Sequence, residues 1–175
     1  EKSITLQRRG ADFYEVGRSV SSVSTHAVFQ HALPNNTAGG ASTSGSWEKR
    51  TLNSTQVNAI SGASISSSVV TLPAGTYKFS WSAVARNTYY FQTRIANTSD
   101  TSYVYGLVVY PGKDSGSGQQ GMDMSSGEAV LTIAASKNFE LQQRVSDSQA
   151  TDGYGAPANF SATEVYATLS VEKIS

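Results

Sequence analysis

The stretch from Val69 to Ile95 sets the tightest limit on how this chain folds. From Tyr77 the odd positions are Tyr77, Phe79, Trp81, Ala83 and Ala85, and the even positions are Lys78, Ser80, Ser82 and Val84. A period of two with one apolar face predicts a half-buried strand. Pro73-Ala74-Gly75 ahead of it reads as a turn, because proline presets its own φ and glycine tolerates a positive one. Arg86-Asn87-Thr88 reads as a reversal, after which Tyr89, Phe91, Thr93 and Ile95 resume the odd-numbered face. The expectation is a β-hairpin with its large aromatics on one side. Such a hairpin is stable only if a second sheet covers that side.

The alternation recurs downstream. Tyr103, Tyr105, Leu107 and Val109 take the odd face of the next strand, and Val104, Val108 and Tyr110 the even face. A strand apolar on both faces is expected to be buried on both, by a second sheet and by another subunit. Met122 and Met124 are even but Ala129, Leu131 and Ile133 are odd, which predicts a glycine bulge near Ser126-Gly127. Phe139, Leu141 and Val145 mark another strand, and Val165, Ala167, Leu169 and Val171 the last. Trp47 is a core candidate. The inward set is Tyr77, Phe79, Trp81, Phe91, Leu131, Phe139, Leu141, Val165, Leu169 and Val171. No segment sustains a helical period. The reading is an all-β jelly-roll sandwich of about eight to ten antiparallel strands. Residues 1–25 read separately as an N-terminal arm or attachment segment, and residues 26–175 as the jelly-roll head domain.

Composition narrows the function. A chain of 175 residues buries roughly 70% of its unfolded surface on folding and needs no staples. It has no cysteine, which removes disulfides, thiolate metal sites and cysteine nucleophiles together. Its net charge is zero, whereas a nucleic-acid binder carries a basic excess, so no nucleic-acid partner is expected. No apolar run approaches the ~20 residues that span a bilayer, so no membrane insertion is expected. No signal peptide is recognisable. Charged residues make up only 15% of the chain. Serine, threonine, glycine and asparagine replace them, as in extracellular and virion β-proteins.

Catalytic constellations are hard to find. His26 and His31, the two histidines, are five apart and fall on opposite faces of a strand. No nucleophile elbow, phosphate loop or dinucleotide fingerprint is present. Glu140 and Glu164 sit in patterned strands but on their polar faces, where a solvated carboxylate is the default. Asp147 and Asp152 share a loop without the spacing of an EF-hand. The expectation is a protein that is not an enzyme and needs no cofactor or metal. Recognition is expected in loops, not on a sheet face. Three loops carry aromatic rings beside amides and charges: Arg86 and Asn87 with Tyr89 and Tyr90; Tyr110 with Lys113 and Asp114; and Asp152 with Tyr154. A ring packs on the apolar face of a sugar while polar groups take its hydroxyls.

Four segments in order add a resemblance. They are Thr43-Ser44-Gly45-Ser46-Trp47-Glu48-Lys49-Arg50-Thr51-Leu52-Asn53, Val70-Thr71-Leu72-Pro73-Ala74-Gly75-Thr76-Tyr77, Leu131-Thr132-Ile133-Ala134-Ala135-Ser136-Lys137-Asn138-Phe139-Glu140-Leu141-Gln142 and Thr163-Glu164-Val165-Tyr166. Together, over roughly residues 28–174, they resemble the C-terminal domains of bacteriophage tail-fibre and related virion spike proteins. The turn at Leu72-Pro73-Ala74-Gly75-Thr76-Tyr77 also resembles the wider C1q/TNF-like jelly rolls. The resemblance implies a homotrimer on a virion, an extracellular particle, that contacts a bacterial surface glycan or protein. Residues 1–25 would then contact other virion proteins. The rival readings are a structural capsid-decoration or tail-assembly protein without a host ligand, and a secreted C1q-like or carbohydrate-binding module. The resemblance carries no catalytic residues.

Overall fold

The computed structural model describes residues 3–10, 12–19, 25–112 and 121–174. Its strands are β1 (Ser3–Arg9), β2 (Asp12–Ser19), β3 (Thr25–Leu33), β4 (Glu48–Lys49), β5 (Ser54–Asn58), β6 (Ser64–Ser66) and β7 (Val69–Leu72). They continue with β8 (Gly75–Arg86), β9 (Tyr89–Asn97), β10 (Ser102–Gly112), β11 (Met122–Ile133), β12 (Lys137–Val145) and β13 (Glu164–Lys173). One sheet runs β10-β9-β12-β7-β6 with β4 on β12, and the other runs β11-β8-β13-β3-β5. β1 and β2 form a separate two-stranded sheet. Every pairing is antiparallel. The chain steps between the two large sheets from β7 to β8, β8 to β9, β10 to β11, β11 to β12 and β12 to β13, which makes a jelly-roll sandwich. The extra strands relative to the expected number are the short β4, β5 and β6, in a serine-rich segment that hides alternation.

The Val69–Ile95 stretch is not a hairpin. β8 pairs with β11 and β13, and β9 pairs with β10 and β12. The chain crosses from one sheet to the other at Arg86–Thr88. Each apolar face therefore covers the other, which satisfies the same burial demand without side-by-side pairing. Phe79 meets Phe139 across the core at 5.0 Å between ring centroids. The Trp81 Nε1 donates to Thr93 Oγ1 at 2.9 Å, and Ser125 Oγ extends this buried chain to the Leu107 carbonyl at 2.6 Å. A buried indole N–H needs such a partner, and Thr93 supplies it from the opposite sheet.

One expected bulge is absent and three inward assignments change. β11 keeps one register from Met122 opposite Arg86 to Ile133 opposite Gly75, so there is no bulge at Ser126-Gly127. Its odd positions from Ser125 to Ile133 face inward, and Met122 and Met124 lie outside. Gly127 has a packing role: a Cβ there would come within 2.2 Å of Trp81 Cζ2. Val165 is 46% exposed because β13 shifts register against β3 between Val165 and Ala167, bringing Tyr166 inward. Leu131 is only half-buried. Trp47 is not in the core; it packs on the outward face of the β9 sheet, 5.7 Å from Tyr105 and 4.2 Å from the Arg94 guanidinium. The remaining members of the inward set are buried.

Among the described residues, β10 packs on the core with one face, while its other face meets Trp47 at Tyr105. Its register against β9 shifts between Tyr105 and Val108, so Val104 and Val109 both reach the core despite opposite parity. That bulge explains apolar residues at odd and even positions alike. Tyr105, Leu107, Val108 and Tyr110 are left exposed.

The strand directions give the sandwich two ends. The chain enters β3 at Thr25, beside Lys173 near the end of β13, and Ile174 N donates to Thr76 O at the same end. The opposite end, hereafter the tip, gathers Leu33, Arg86, Tyr89, Gly112, Met122 and Val145.

Candidate functional site

At the tip the β8–β9 crossover and the long β12–β13 loop meet the end of β10 and the residue that opens β11. Asn87 N donates to Gly121 O at 3.0 Å, and Arg86 N to Gly153 O at 2.9 Å. Ser146 N donates to Tyr90 O at 2.9 Å, and Gln149 Nε2 to Asn87 O at 2.7 Å. Asn87 and Tyr89 have φ of 57° and 58°. Asparagine enters the left-handed region readily, but a tyrosine there is held by its surroundings.

Beneath the loops lies a brace. Arg86 pairs with Asp152. The Tyr154 hydroxyl donates to the Glu48 carboxylate, and burial followed by Glu48 pushes the phenol well above its ordinary range. Arg50 is fully buried. Its Nη1 donates to Gln143 Oε1 at 2.9 Å and Val84 O at 3.4 Å; its Nη2 donates to Tyr154 O at 2.8 Å and Tyr166 O at 3.2 Å. It also stacks on the Tyr154 ring at 4.6 Å. One side chain thus laces both sheets to the β12–β13 loop. Burial lowers its pKa to about 9, so it remains charged at neutral pH. Sequence reading missed Arg50. The available signal was parity, since Arg50 stands two residues before the core residue Leu52.

Glu164 serves the same loop. Its carboxylate accepts from Asn159 N at 2.9 Å, Ala158 N at 3.2 Å and Asn36 N at 3.4 Å, and these bonds, led by Asn159, hold its pKa below the ordinary value. It is therefore buried and structural, not solvated on a polar face. Glu140 lies 3.8 Å from Lys49 Nζ and accepts from Gln142 Nε2 at 2.7 Å. His31 points inward and His26 outward.

The sequence-derived candidates thus divide. Arg86, Asp152 and Tyr154 belong to the brace, where their side chains are engaged by the protein itself, and Asn87 is buried beside them and held through its backbone N and O. Tyr89, Tyr90 and Tyr110 are exposed and adjacent: Tyr110 lies 6.1 Å from Tyr89 and 5.4 Å from Tyr90, centroid to centroid. Lys113 and Asp114 lie outside the described residues. A second aromatic group, Trp47 with Tyr103, sits lower on the same sheet face, but Arg94 fills it, 3.8 Å from the Tyr103 ring. Beside Tyr90 a groove of about 340 Å³ opens between β10, β9 and β12.

The fold and this tip describe an antiparallel jelly-roll head: a rigid sandwich with the chain entering at one end and an aromatic surface at the other. No protein-family model matches the chain, and no curated protein matches it in sequence. Solved structures match its fold. The globular domain of zebrafish complement 1qA superposes with a TM-score of 0.56, covering 87% of this chain and 98% of that one at 16% identity. Murine APRIL at pH 5.0 gives 0.57, covering 86% and 99% at 6% identity. PRD1 vertex protein P5 gives 0.50, covering 89% and 100% at 16% identity. At such identities the likeness is one of fold, and the fold is a C1q/TNF-like jelly roll.

Proposed function

We propose that this chain is the head of a fibre or spike displayed on a phage or phage-like particle, that it assembles as a homotrimer, and that its tip binds a glycan or protein on the host surface without cleaving it. The observation that carries this reading is the separation of ends. The arm of residues 1–25 leads into the sandwich at Thr25, and the exposed Tyr89, Tyr90 and Tyr110 lie at the far end. A display protein needs its attachment and its recognition surface on opposite sides. The fold likeness to PRD1 vertex protein P5 supports a particle setting. Binding without cleavage is supported by Glu140 and Glu164 both having partners within the fold.

The trimer rests on an apolar strip. Leu107 is 64% and Val130 61% exposed, and Met122 and Met124 lie outward on the same strand as Val130. The Ser125–Leu107 hydrogen bond joins that strand, β11, to β10, so these residues form one edge of the sandwich. Exposed apolar side chains along one edge of a soluble protein support a contact surface there, and closed symmetry would cover the same edge on every copy. Light scattering at micromolar concentration is expected to give a trimer mass. The double substitution Leu107→Asp with Val130→Asp is expected to lower it to that of a monomer with an unchanged β spectrum. A monomeric parent would reject the trimer.

Host-cell binding tests the tip. Tyr90→Ala and Tyr110→Ala, each first shown to fold and assemble, are expected to weaken binding to cells of the host strain at least tenfold. The structural reading has its own support in Arg86, Asp152 and Tyr154, whose side chains the brace consumes. If both variants bind like the parent, or the parent does not bind, the protein is a structural component of its particle.

A further inference from the structure

Among the described residues of the sandwich, the lysines and arginines are engaged with one exception. Lys49 pairs with Glu140, Lys78 with Glu128, Arg86 with Asp152 and Lys137 with Asp100. Arg50 is spent on buried oxygens, and Lys173 lies over the Tyr77 ring. Arg94 stacks between Trp47 and Tyr103 and donates to Gln142. Arg144 is the exception. It is exposed on β12, and no hydrogen bond, ion pair or ring contact engages its side chain.

Its surroundings are specific. The register sets Arg144 beside Gln92 and Gln92 beside Val108, one row across three strands. The next row toward the tip holds Ser146 and Tyr90, with the Tyr90 ring against Tyr110. Strand spacing makes each row about 10 Å wide, and successive rows on one face lie about 7 Å apart. Arg144, Gln92, Val108, Tyr90 and Ser146 therefore line one shallow groove. Gln92 is fixed there by its Nε2 on Gly106 O at 3.0 Å. Tyr90 is 59% exposed and offers both a ring face and a hydroxyl.

A guanidinium is a planar fork that matches a carboxylate or phosphate with two parallel hydrogen bonds. A tyrosine beside it matches the apolar face of a sugar ring. The chain has no net charge, so no long-range field draws polyanions to it, and any preference for an anion must be local. We propose that this groove binds an acidic sugar, with Arg144 taking its carboxylate or phosphate and Tyr90 stacking on its ring. The inference rests on the reading of the tip as a host-surface binder and names the chemistry it reads. It moves recognition from the loops, where the sequence put it, to the sheet face just beneath them.

The test uses the full chain and defined probes in calorimetric titration. These are tri-galacturonic acid, its uncharged methyl ester, and mannose 6-phosphate with mannose as its neutral control. At least one acidic probe is expected to bind ten times more tightly than its neutral counterpart, with the preference fading as salt rises. The carboxylate and phosphate arms identify which group is preferred. Arg144→Gln is expected to abolish the preference while leaving the neutral probe unaffected, and Tyr90→Ala to weaken both forms. Equal binding of acidic and neutral probes, binding of neither, or a preference that survives Arg144→Gln overturns the inference. A changed assembly mass in Arg144→Gln also overturns it, since Arg144 would then bridge copies of the chain. If the inference fails while the parent still binds host cells, the tip reading stands; if cell binding is also absent, both fall.

Discussion

Arg50→Ala is expected to destabilise the protein by about 3–5 kcal/mol. The side chain is fully buried, so truncation leaves a cavity larger than that of a leucine-to-alanine change. It also strips four oxygens of donors: Gln143 Oε1 and the carbonyls of Val84, Tyr154 and Tyr166. A buried acceptor left without its donor costs about 1–3 kcal/mol. These terms are not additive, because the β12–β13 loop can lift and admit water. Arg50→Met separates them by keeping most of the volume and losing the donors, and is expected to fall between parent and Arg50→Ala. Arg50→Lys keeps the charge but cannot span acceptors on both sheets, and is expected to lie nearer alanine than parent. Urea denaturation reads all three as shifts in midpoint at constant slope. Limited proteolysis adds a local readout, with the first new cut expected between Ser146 and Thr163. A midpoint shift worth less than about 1 kcal/mol for Arg50→Ala would mean that the sandwich closes without this lace.

The parts of this fold visible in sequence are those where burial follows simple parity. Tyr77 to Ala85 on β8, Phe91 to Ile95 on β9 and Phe139 to Val145 on β12 keep one face inward along their length. Parity fails where a register shift swaps faces, at Tyr105–Val108 in β10 and Val165–Ala167 in β13. It also fails to say which strands are neighbours. Alternation in β8 and β9 specifies that both faces need cover, and either a hairpin under a second sheet or two strands in opposed sheets meets that need. The choice depends on partners as remote as β13. Gly127 shows the converse error, since a glycine in a strand suggests a bulge but here clears space for Trp81.

The candidate site was legible in part for a related reason. Loop residues with turn chemistry are readable one at a time, and Arg86, Asn87, Asp152 and Tyr154 do meet at one tip with Tyr89, Tyr90 and Tyr110. What a loop residue does there depends on pairings over long sequence separations. Asp152 reaches back to Arg86, and Tyr154 to Glu48 and Arg50. Those pairings turn three polar candidates into a brace and leave the tyrosines outward. Arg144 had the reverse fate: it sits in a patterned strand, where a charge reads as ordinary solvated surface. Its interest appears only once every other cation among the described residues of the sandwich is seen to be engaged.

Acid is expected to loosen this tip through His31. His31 is buried on β3 with its ring 5.8 Å from Tyr166, and its Nδ1 has no partner. Burial, followed by the charge of Arg50, lowers its pKa from 6.5 to about 4. The folded protein therefore holds His31 neutral where the unfolded chain has already begun to take up a proton. Between those two values the unfolded state binds more protons, so stability rises with pH and is lost as pH falls from about 6.5 toward 4. The loss across that window is roughly 2–3 kcal/mol. Glu164 behaves differently, because its folded pKa is depressed from 4.5 by the backbone N–H groups of Asn159, Ala158 and Asn36. Its contribution is present above its unfolded pKa and disappears only as pH falls through the lower folded value. Two windows follow, His31 above and Glu164 below. Urea midpoints taken from pH 7 to pH 3 are expected to show a slope between pH 6.5 and 4 that His31→Phe removes, because a phenyl ring fills the same space against Tyr166 and cannot charge. Glu164→Gln is expected to leave that slope in place and flatten the fall below it. A His31→Phe protein that keeps the full slope would show that the imidazole is not the source of that slope, and that Arg50 tolerates a second positive charge beside it.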